Sequence, residues 1–100
     1  MLYSVYCIDA ENTHALREQH LVAHRAYLDL FRDKIFFSGP LQSDDAATAY
    51  GSLFILNVDS RAEAEAYIFN EVFYKAGIFA SVKIFRMRKG RYNPALIEGL

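Results

Sequence analysis

The sequence is poor in the residues and patterns that mark secreted, metal-binding and membrane-spanning proteins. Its single cysteine, Cys7, excludes an intrachain disulfide and a cysteine metal cluster, and it favours a reducing compartment. No apolar run approaches the roughly eighteen residues of a membrane-spanning helix. The N-terminal stretch MLYSVYCIDA has neither the basic start nor the cleavage site of a signal peptide. We therefore expect a cytoplasmic protein with no membrane partner.

The chain also lacks a large excess of charge of either sign. Its 11 basic and 12 acidic residues give a net charge of -1, which argues against a general nucleic-acid-binding protein. Apolar side chains, in contrast, are abundant: 53% of the 100 residues are hydrophobic and 15% are aromatic. A single small domain hides so much apolar surface poorly. The composition therefore predicts one domain that associates with a partner subunit.

Helical periodicity is strongest over residues 13–32, a stretch with no glycine or proline. Placed about 100° apart around an axis, most of its apolar residues fall on one arc, which runs from Leu30 to Leu21. His20 and His24 lie near the middle of that arc. Two titratable rings in a face that should be buried are the most informative feature of the chain.

Segments rich in β-branched and aromatic residues predict four strands. We place them at residues 2–8, 35–38, 50–58 and 78–87. The second strand is expected to stop at Gly39-Pro40. A second helix begins with Ser60 and Glu63 at capping-box spacing, and a further helical turn closes at Gly77.

The predicted order is β-α-β-β-α-β, the ferredoxin-like α+β arrangement, in which both helices cover one face of an antiparallel sheet. The strands are apolar on both sides; in the first, Leu2, Tyr6 and Ile8 alternate with other apolar residues. The face without helices would then be a patch too large for a soluble monomer to expose. We therefore predict a homodimer that pairs two sheets face to face.

His20 has two interpretations that the sequence leaves open. It is either a core histidine whose ring nitrogens are satisfied by neighbours, or a general acid or base in a cleft where burial adjusts its pKa. In the second case it needs an orienting carboxylate, for which Asp9, Glu63 and Glu71 are candidates.

His24 follows His20 at the i, i+4 spacing that allows two imidazoles to share a metal. A hydrolytic zinc site would need Glu after the first histidine, where this chain has Leu21, and the sequence fixes no third ligand. We therefore expect no bound metal and no cofactor, and we interpret His24 as a core or interface residue. Ser38-Gly39 either ends a strand or offers a hydroxyl and bare backbone groups to a small polar ligand.

Several short stretches share their order and spacing with a known family. They are MLYSVYCID, Arg17-Glu-Gln-His20-Leu with Tyr27-Leu28, Ser38-Gly39-Pro40-Leu41, the Ser-x-x-Glu helix start, Asn70-Glu-Val-Phe-Tyr-Lys-Ala-Gly77-Ile-Phe and Val82-Lys83-Ile84-Phe85. Together they resemble the YciI-like (YCII-related) proteins of the dimeric α+β barrel group. The resemblance implies a domain over residues 1–88, followed by a C-terminal tail at 89–100.

The resemblance also implies a catalytic dyad, made of a histidine on the first helix and an acid before an Ala-Gly pair. Carried onto this chain, the histidine is His20 and the acid is Glu71, which stands where the family more often has Asp in Asp-Pro-Phe. The candidate substrate-binding residues around this dyad are Arg17, Ser38, Gly39, His24 and Tyr6.

The family includes dehydrochlorinases that act on chlorinated hydroxyquinones, and other barrel relatives isomerise lactones, as muconolactone isomerase does, or oxidise aromatics, usually without metal. The resemblance therefore implies a cofactor-independent lyase or isomerase for a small cyclic or aromatic substrate. The alternative is a non-catalytic small-molecule-binding or accessory protein with the same pocket. A third hypothesis, haem binding through His20 or His24, predicts a coloured protein.

Overall fold

Four strands and three α-helices make up the domain. The computed structural model describes the backbone of residues 1–100 and the side chains of all of them except residues 97 and 99. The strands are β1 (Leu2–Asp9), β2 (Ile35–Gln42), β3 (Ala49–Asn57) and β4 (Phe79–Met87). The helices are α1 (His14–Leu30), α2 (Arg61–Phe69) and the single turn α3 (Val72–Lys75), and a 3-10 helix spans Pro94–Gly99. None of these helices, over the described residues, is both long enough and apolar enough to cross a membrane.

The strands form one antiparallel sheet in the order β2-β3-β1-β4, which confirms the predicted ferredoxin-like α+β fold. Every second residue of β1, namely Tyr3, Val5 and Cys7, points to the face that the helices cover and is buried. Tyr67 and Ile68 of α2 pack against this row in one hydrophobic core. The two-residue alternation of β1 therefore sets which face carries the core.

α1 turns a narrower stripe to the sheet than its sequence predicted. Tyr27, Leu28 and Phe31, at the C-terminal end of the helix, pack against the core. Leu30, which the helical arc placed on the buried side, is 81% exposed. These three residues span an arc of about 100° around the axis, and Leu30 lies about 60° beyond its edge, next to Tyr27, so it falls outside the stripe that contacts the sheet.

β2 continues through Gly39 and Pro40 to Gln42, so the predicted stop at Gly39-Pro40 is wrong. β2 is an edge strand that pairs only with β3, where Pro40 lies opposite Ser52. One side of an edge strand has no neighbouring strand, and a proline without an N–H group is tolerated there. The strand therefore carries Ser38 and Gly39 along the sheet edge instead of ending at them.

The sheet face without helices, which we call the open face, carries many apolar side chains. They are Leu2, Tyr6, Ile8, Phe37, Leu53, Ile55, Phe85 and Met87. In the single chain Tyr6, Phe37 and Phe85 are 42%, 48% and 59% exposed. The predicted homodimer would cover this face, and it stays a prediction.

The chain after β4 crosses one end of the sheet to the opposite edge. The ring of Tyr92 packs against Phe36 of β2, with 5.7 Å between the ring centroids. Because β2 and β4 are the two edge strands, residues 88–91 span the width of the sheet between these contacts. The tail is thus attached through an aromatic pair.

Candidate functional site

A pocket of about 260 Å³ lies between α1 and the neighbouring strands β2 and β3. Its wall residues include Arg17 and His24 of α1, Ser38 and Gly39 of β2, Ser52 of β3 and Phe73 of α3. This volume falls below the usual range for sites of drug-sized ligands. The pocket therefore suits a small molecule.

His24, in the wall of this pocket, forms a buried pair with Glu71, which lies behind the wall. Nδ1 of His24 bonds to Oε1 of Glu71, and the Glu71 side chain is 0% exposed. An ionised carboxylate has no proton to donate, so Nδ1 is the donor. In the neutral ring Nε2 is then left with a free lone pair.

The local sequence around Glu71 holds its carboxylate in place. Glu71 has an extended backbone and caps α3, and its Oε2 accepts the backbone N–H groups of Phe73 at 2.8 Å and Tyr74 at 3.3 Å. Gly77, with φ of 78°, then ends the turn in the left-handed conformation. The carboxylate therefore has three donors, two from its own turn and one from α1.

Phe73 fixes the plane of the His24 ring. The two rings are stacked, with centroids 3.8 Å apart and planes only 4° from parallel. The bond from Nδ1 to Glu71 sets how the imidazole is rotated within that plane. The position of Nε2 is therefore held by two independent contacts.

Arg17 is the second charged side chain held rigidly in the pocket wall. Its Nε and Nη2 donate to the two carboxylate oxygens of Asp9 at 2.6 and 2.9 Å, and Nη2 also donates to Ser52 Oγ at 3.2 Å. Its guanidinium carbon lies 4.9 Å from the centroid of the Phe73 ring. A two-bond pair of this kind orients the guanidinium as well as neutralising it.

Four of the predicted substrate-binding residues line the pocket together, namely Arg17, His24, Ser38 and Gly39. Tyr6 is not brought there. It alternates with the buried Val5 and Cys7 along β1, so its ring lies on the open face, on the other side of the sheet. The sequence pattern of β1 already contained this alternation.

The predicted pairing of Glu71 with His20 is wrong, because Glu71 bonds to His24. His20 is half-buried, lies outside the pocket wall and makes no side-chain hydrogen bond among the described residues. The two histidines are one turn apart on the same helix face. The sequence does not say where along α1 the turn that carries Glu71 packs, so nothing in it distinguished the two rings.

The i, i+4 histidines do not gain a third ligand in the fold. In the described part of the chain, no three His, Cys, Asp or Glu side chains lie close enough together to hold a metal ion. The expectation of no bound metal stays a prediction, which elemental analysis of the purified protein tests.

Burial and buried carboxylates raise the pKa values of the acidic groups near the pair. Burial, followed by Glu71 and Asp9, raises the pKa of the Cys7 thiol to about 12. Burial and then Glu71 raise the pKa values of Tyr67 and Tyr27 above the ordinary value. These groups therefore stay protonated at neutral pH and do not compete with His24 as a base.

The fold and the site together define a small ferredoxin-like α+β protein with a buried histidine–carboxylate pair beside a small pocket. The chain belongs to the YCII-related domain family, whose profile matches residues 1–88. This confirms the family resemblance that the sequence motifs carried. No curated protein sequence matches the chain significantly.

Several solved structures are similar to this one, and two of them are described here. One is 5-chloro-2-hydroxyhydroquinone dehydrochlorinase (TftG) from Burkholderia phenoliruptrix, in complex with 2,5-dihydroxybenzoquinone; it is 31% identical, with a TM-score of 0.84. The match covers 90% of this chain and 96% of the dehydrochlorinase. The other, from Arabidopsis thaliana, is 12% identical with a TM-score of 0.47, over 92% of this chain and 97% of its own.

Proposed function

We propose that this protein is a cofactor-independent lyase that removes HX, such as hydrogen chloride, from a small hydroxylated ring compound, with His24 as the general base. The observation that carries the proposal is the pair of His24, in the wall of a small pocket, with the buried Glu71 behind it. The 31% identity to a dehydrochlorinase supports elimination. An isomerase would use the same base, and the neighbour's reaction is what favours the lyase.

In the proposed reaction the ring reacts as a keto tautomer, in which the carbon that carries the leaving group X is saturated. Nε2 of His24 takes a proton from the ring carbon next to it, or from a hydroxyl conjugated with it. The electrons of the broken C–H or O–H bond form a new C=C or C=O bond, and X leaves with the electrons of the C–X bond. The Glu71 carboxylate stabilises the imidazolium that forms. Nε2 then returns its proton to water, so the net change is loss of HX and needs no oxidant.

The other polar residues of the pocket orient the ring in this proposal. Arg17 and the Ser38 hydroxyl hold the oxygen atoms of the substrate. Gly39 lines the pocket through its backbone, since a Cβ on this residue would point to the open face, where it would meet nothing within 4 Å beyond its chain neighbours. Holding the substrate beside a fixed base makes a bimolecular reaction effectively unimolecular, which is a large source of rate acceleration.

Assembly and location belong to the same proposal. A homodimer formed through the open face is supported by the exposed aromatic rings of Tyr6, Phe37 and Phe85. A cytoplasmic location is supported by the free thiol of the single, buried Cys7.

The test compares two histidine variants one helical turn apart. With 5-chloro-2-hydroxyhydroquinone as the trial substrate, chloride release is measured for wild type, His24→Gln and the matched control His20→Gln. We expect His24→Gln to lower the rate by about 100-fold or more, the usual contribution of a general base, and His20→Gln to stay within about threefold of wild type.

The opposite pattern, with the large loss in His20→Gln, would show that the base has been assigned to the wrong ring. A third result is binding of ring compounds without turnover of any of them. That result would replace the lyase by the alternative, a non-catalytic small-molecule-binding protein with the same pocket.

A further inference from the structure

The charged side chains in the pocket wall are Arg17 and Arg25, and no carboxylate belongs to the part of this wall that the structure describes. The carboxylates behind the wall are already engaged, Asp9 with Arg17 and Glu71 with His24 and two backbone N–H groups. A ligand therefore meets the N–H donors of Arg17 and the charge of Arg25, with no carboxylate facing it.

Arg17 offers this ligand one preset donor. Asp9 and Ser52 take up its Nε and Nη2, while Nη1 makes no hydrogen bond to any described residue. Because a guanidinium is rigid and planar, fixing two of its nitrogens fixes the third. A single free nitrogen suits one oxygen atom better than a carboxylate, whose two oxygens pair with two guanidinium nitrogens.

Arg25 adds charge at the mouth of the pocket. It lines the pocket yet is exposed, and it forms no ion pair with any described residue. An unpaired cation at the rim raises the local concentration of anions and speeds their entry. Arg25 therefore attracts the ligand before it enters the pocket, whereas Arg17 donates a hydrogen bond to the bound ligand.

The remaining wall is apolar. Leu21 and Leu28 of α1 face Phe54 and Phe73, and the cavity of about 260 Å³ holds little more than one substituted ring. Apolar walls with a few convergent polar groups are typical of sites that bind planar ring compounds. Size and charge together thus describe one ring with one anionic oxygen.

We infer that the pocket selects monocyclic ring compounds that carry an ionised ring oxygen, a phenolate or quinone enolate, bound to Nη1 of Arg17 and drawn in by Arg25. The inference deepens the proposed function and rests on it in placing that ring beside His24. Because that oxygen is already ionised, His24 takes its proton from the ring carbon next to the leaving group, while the anionic oxygen stays on Arg17.

Calorimetric titration with two matched quinones tests the inference. 2,5-Dihydroxybenzoquinone, which ionises in neutral buffer, is compared with neutral 2,5-dimethoxybenzoquinone on wild type, Arg25→Gln, Arg17→Lys and the control Arg32→Gln. Arg32 is exposed and lies outside the pocket wall, so its variant removes the same charge elsewhere on the protein.

We expect the dihydroxyquinone to bind wild type at least about tenfold more tightly than the dimethoxyquinone. Arg25→Gln should weaken dihydroxyquinone binding about three- to tenfold at low salt and much less at high salt, because exposed charges are screened. Arg17→Lys should weaken it about tenfold, since lysine keeps the charge but not the fixed fork. Arg32→Gln should match wild type.

Equal binding of the two quinones, or an Arg25→Gln variant identical to wild type, would overturn the inference. The Arg25 comparison stands even if Arg17→Lys fails to fold, because Arg25 has no partner to lose. Turnover of neutral ring compounds with no preference for anions would leave the lyase proposal intact and sink this inference. Tight anion binding without any turnover would support this inference and contradict the lyase proposal.

Discussion

Glu71 decides which nitrogen of His24 carries the proton, and the proposed chemistry depends on that choice. The carboxylate accepts from Nδ1, so the lone pair stays on Nε2. A glutamine at this position has the same shape but a different pattern of donors. Its oxygen could keep the N–H groups of Phe73 and Tyr74, while its amide would donate to Nδ1 and move the ring proton to Nε2.

We predict that Glu71→Gln folds but loses about 100-fold or more in elimination rate, because Nε2 becomes a donor and can no longer act as a base. Nitrogen-15 NMR of His24 should report the change of tautomer. Glu71→Asp is the control, since it keeps an acceptor for Nδ1. A reversed tautomer with an unchanged rate would contradict the assignment of His24 as the base.

The buried thiol of Cys7 predicts how the stability of the fold depends on pH. Burial, then the Glu71 and Asp9 carboxylates, raises the pKa of its thiol to about 12, while an unfolded thiol titrates near roughly 8.5. The folded state holds this proton more tightly. The resulting stabilisation is fully present below about pH 8.5 and is lost as the pH rises towards about 12.

Urea unfolding of wild type and Cys7→Ala across this alkaline range checks that sign. Wild type should lose stability with rising pH more steeply than Cys7→Ala, and native Cys7 should resist iodoacetamide at about pH 8, because the thiolate is the reactive form. Parallel pH profiles for the two proteins, or rapid alkylation of the native thiol, would count against the raised pKa.

The sequence predicted the positions of site residues well where periodicity and motifs determine them. It predicted them poorly where the packing of one element on another determines them. Arg17, Ser38 and Gly39, which the sequence predicted to bind substrate, line the pocket, and Glu71 pairs with a histidine. The choice between His20 and His24 depended on how far along α1 the turn α3 packs. Phe73, which stacks on His24, went unnoticed because its role exists only once that contact has formed.

Among the elements, β1 and β3 approach each other very closely at Gly51. A Cβ at this position would collide with the backbone carbonyl of Cys7, on the neighbouring strand. The reason is steric, since Gly51 is not among the glycines with positive φ. Neither backbone can move away without opening the ladder between β1 and β3.

We therefore predict that Gly51→Ala lowers the free energy of unfolding by about 3 kcal/mol or more, or prevents folding. Gly39→Ala is the matched control on β2, because nothing lies within 4 Å of its Cβ position; it should change stability by no more than about 0.5 kcal/mol. Chemical denaturation of both variants decides the matter. Equal, small effects would mean that the strands separate easily.

The order of the elements could be predicted from the sequence because each strand and helix carries its own period. Their ends were harder to predict. Pro40 predicts the end of a strand unless it is known that β2 is an edge strand, where proline is tolerated. Leu30 is predicted to be buried unless it is known how narrow the contact between α1 and the sheet is. Both errors concern neighbours, which local patterns do not contain.

At the scale of the whole molecule, the open face predicts association. We expect sedimentation equilibrium at micromolar concentration to give twice the chain mass of 11.4 kDa. Phe85→Lys, on the open face, should shift the protein towards monomer, because a charge there would be buried unpaired. Val22→Lys, on the exposed side of α1, should not. A wild-type protein that is monomeric at micromolar concentration would contradict the predicted dimer.

His24 and Glu71 are 47 residues apart in the chain, and they meet only when both halves of the domain are in place. A chain that ends before Glu71, whether a fragment or a nascent chain, cannot form the pair. Every molecule that can turn over substrate must therefore have α1 and α3 packed together, and in a domain that folds in one cooperative step this means the native state. Activity per mole of chain should then act as a count of folded molecules, falling in step with the native fraction when a distant substitution weakens the fold.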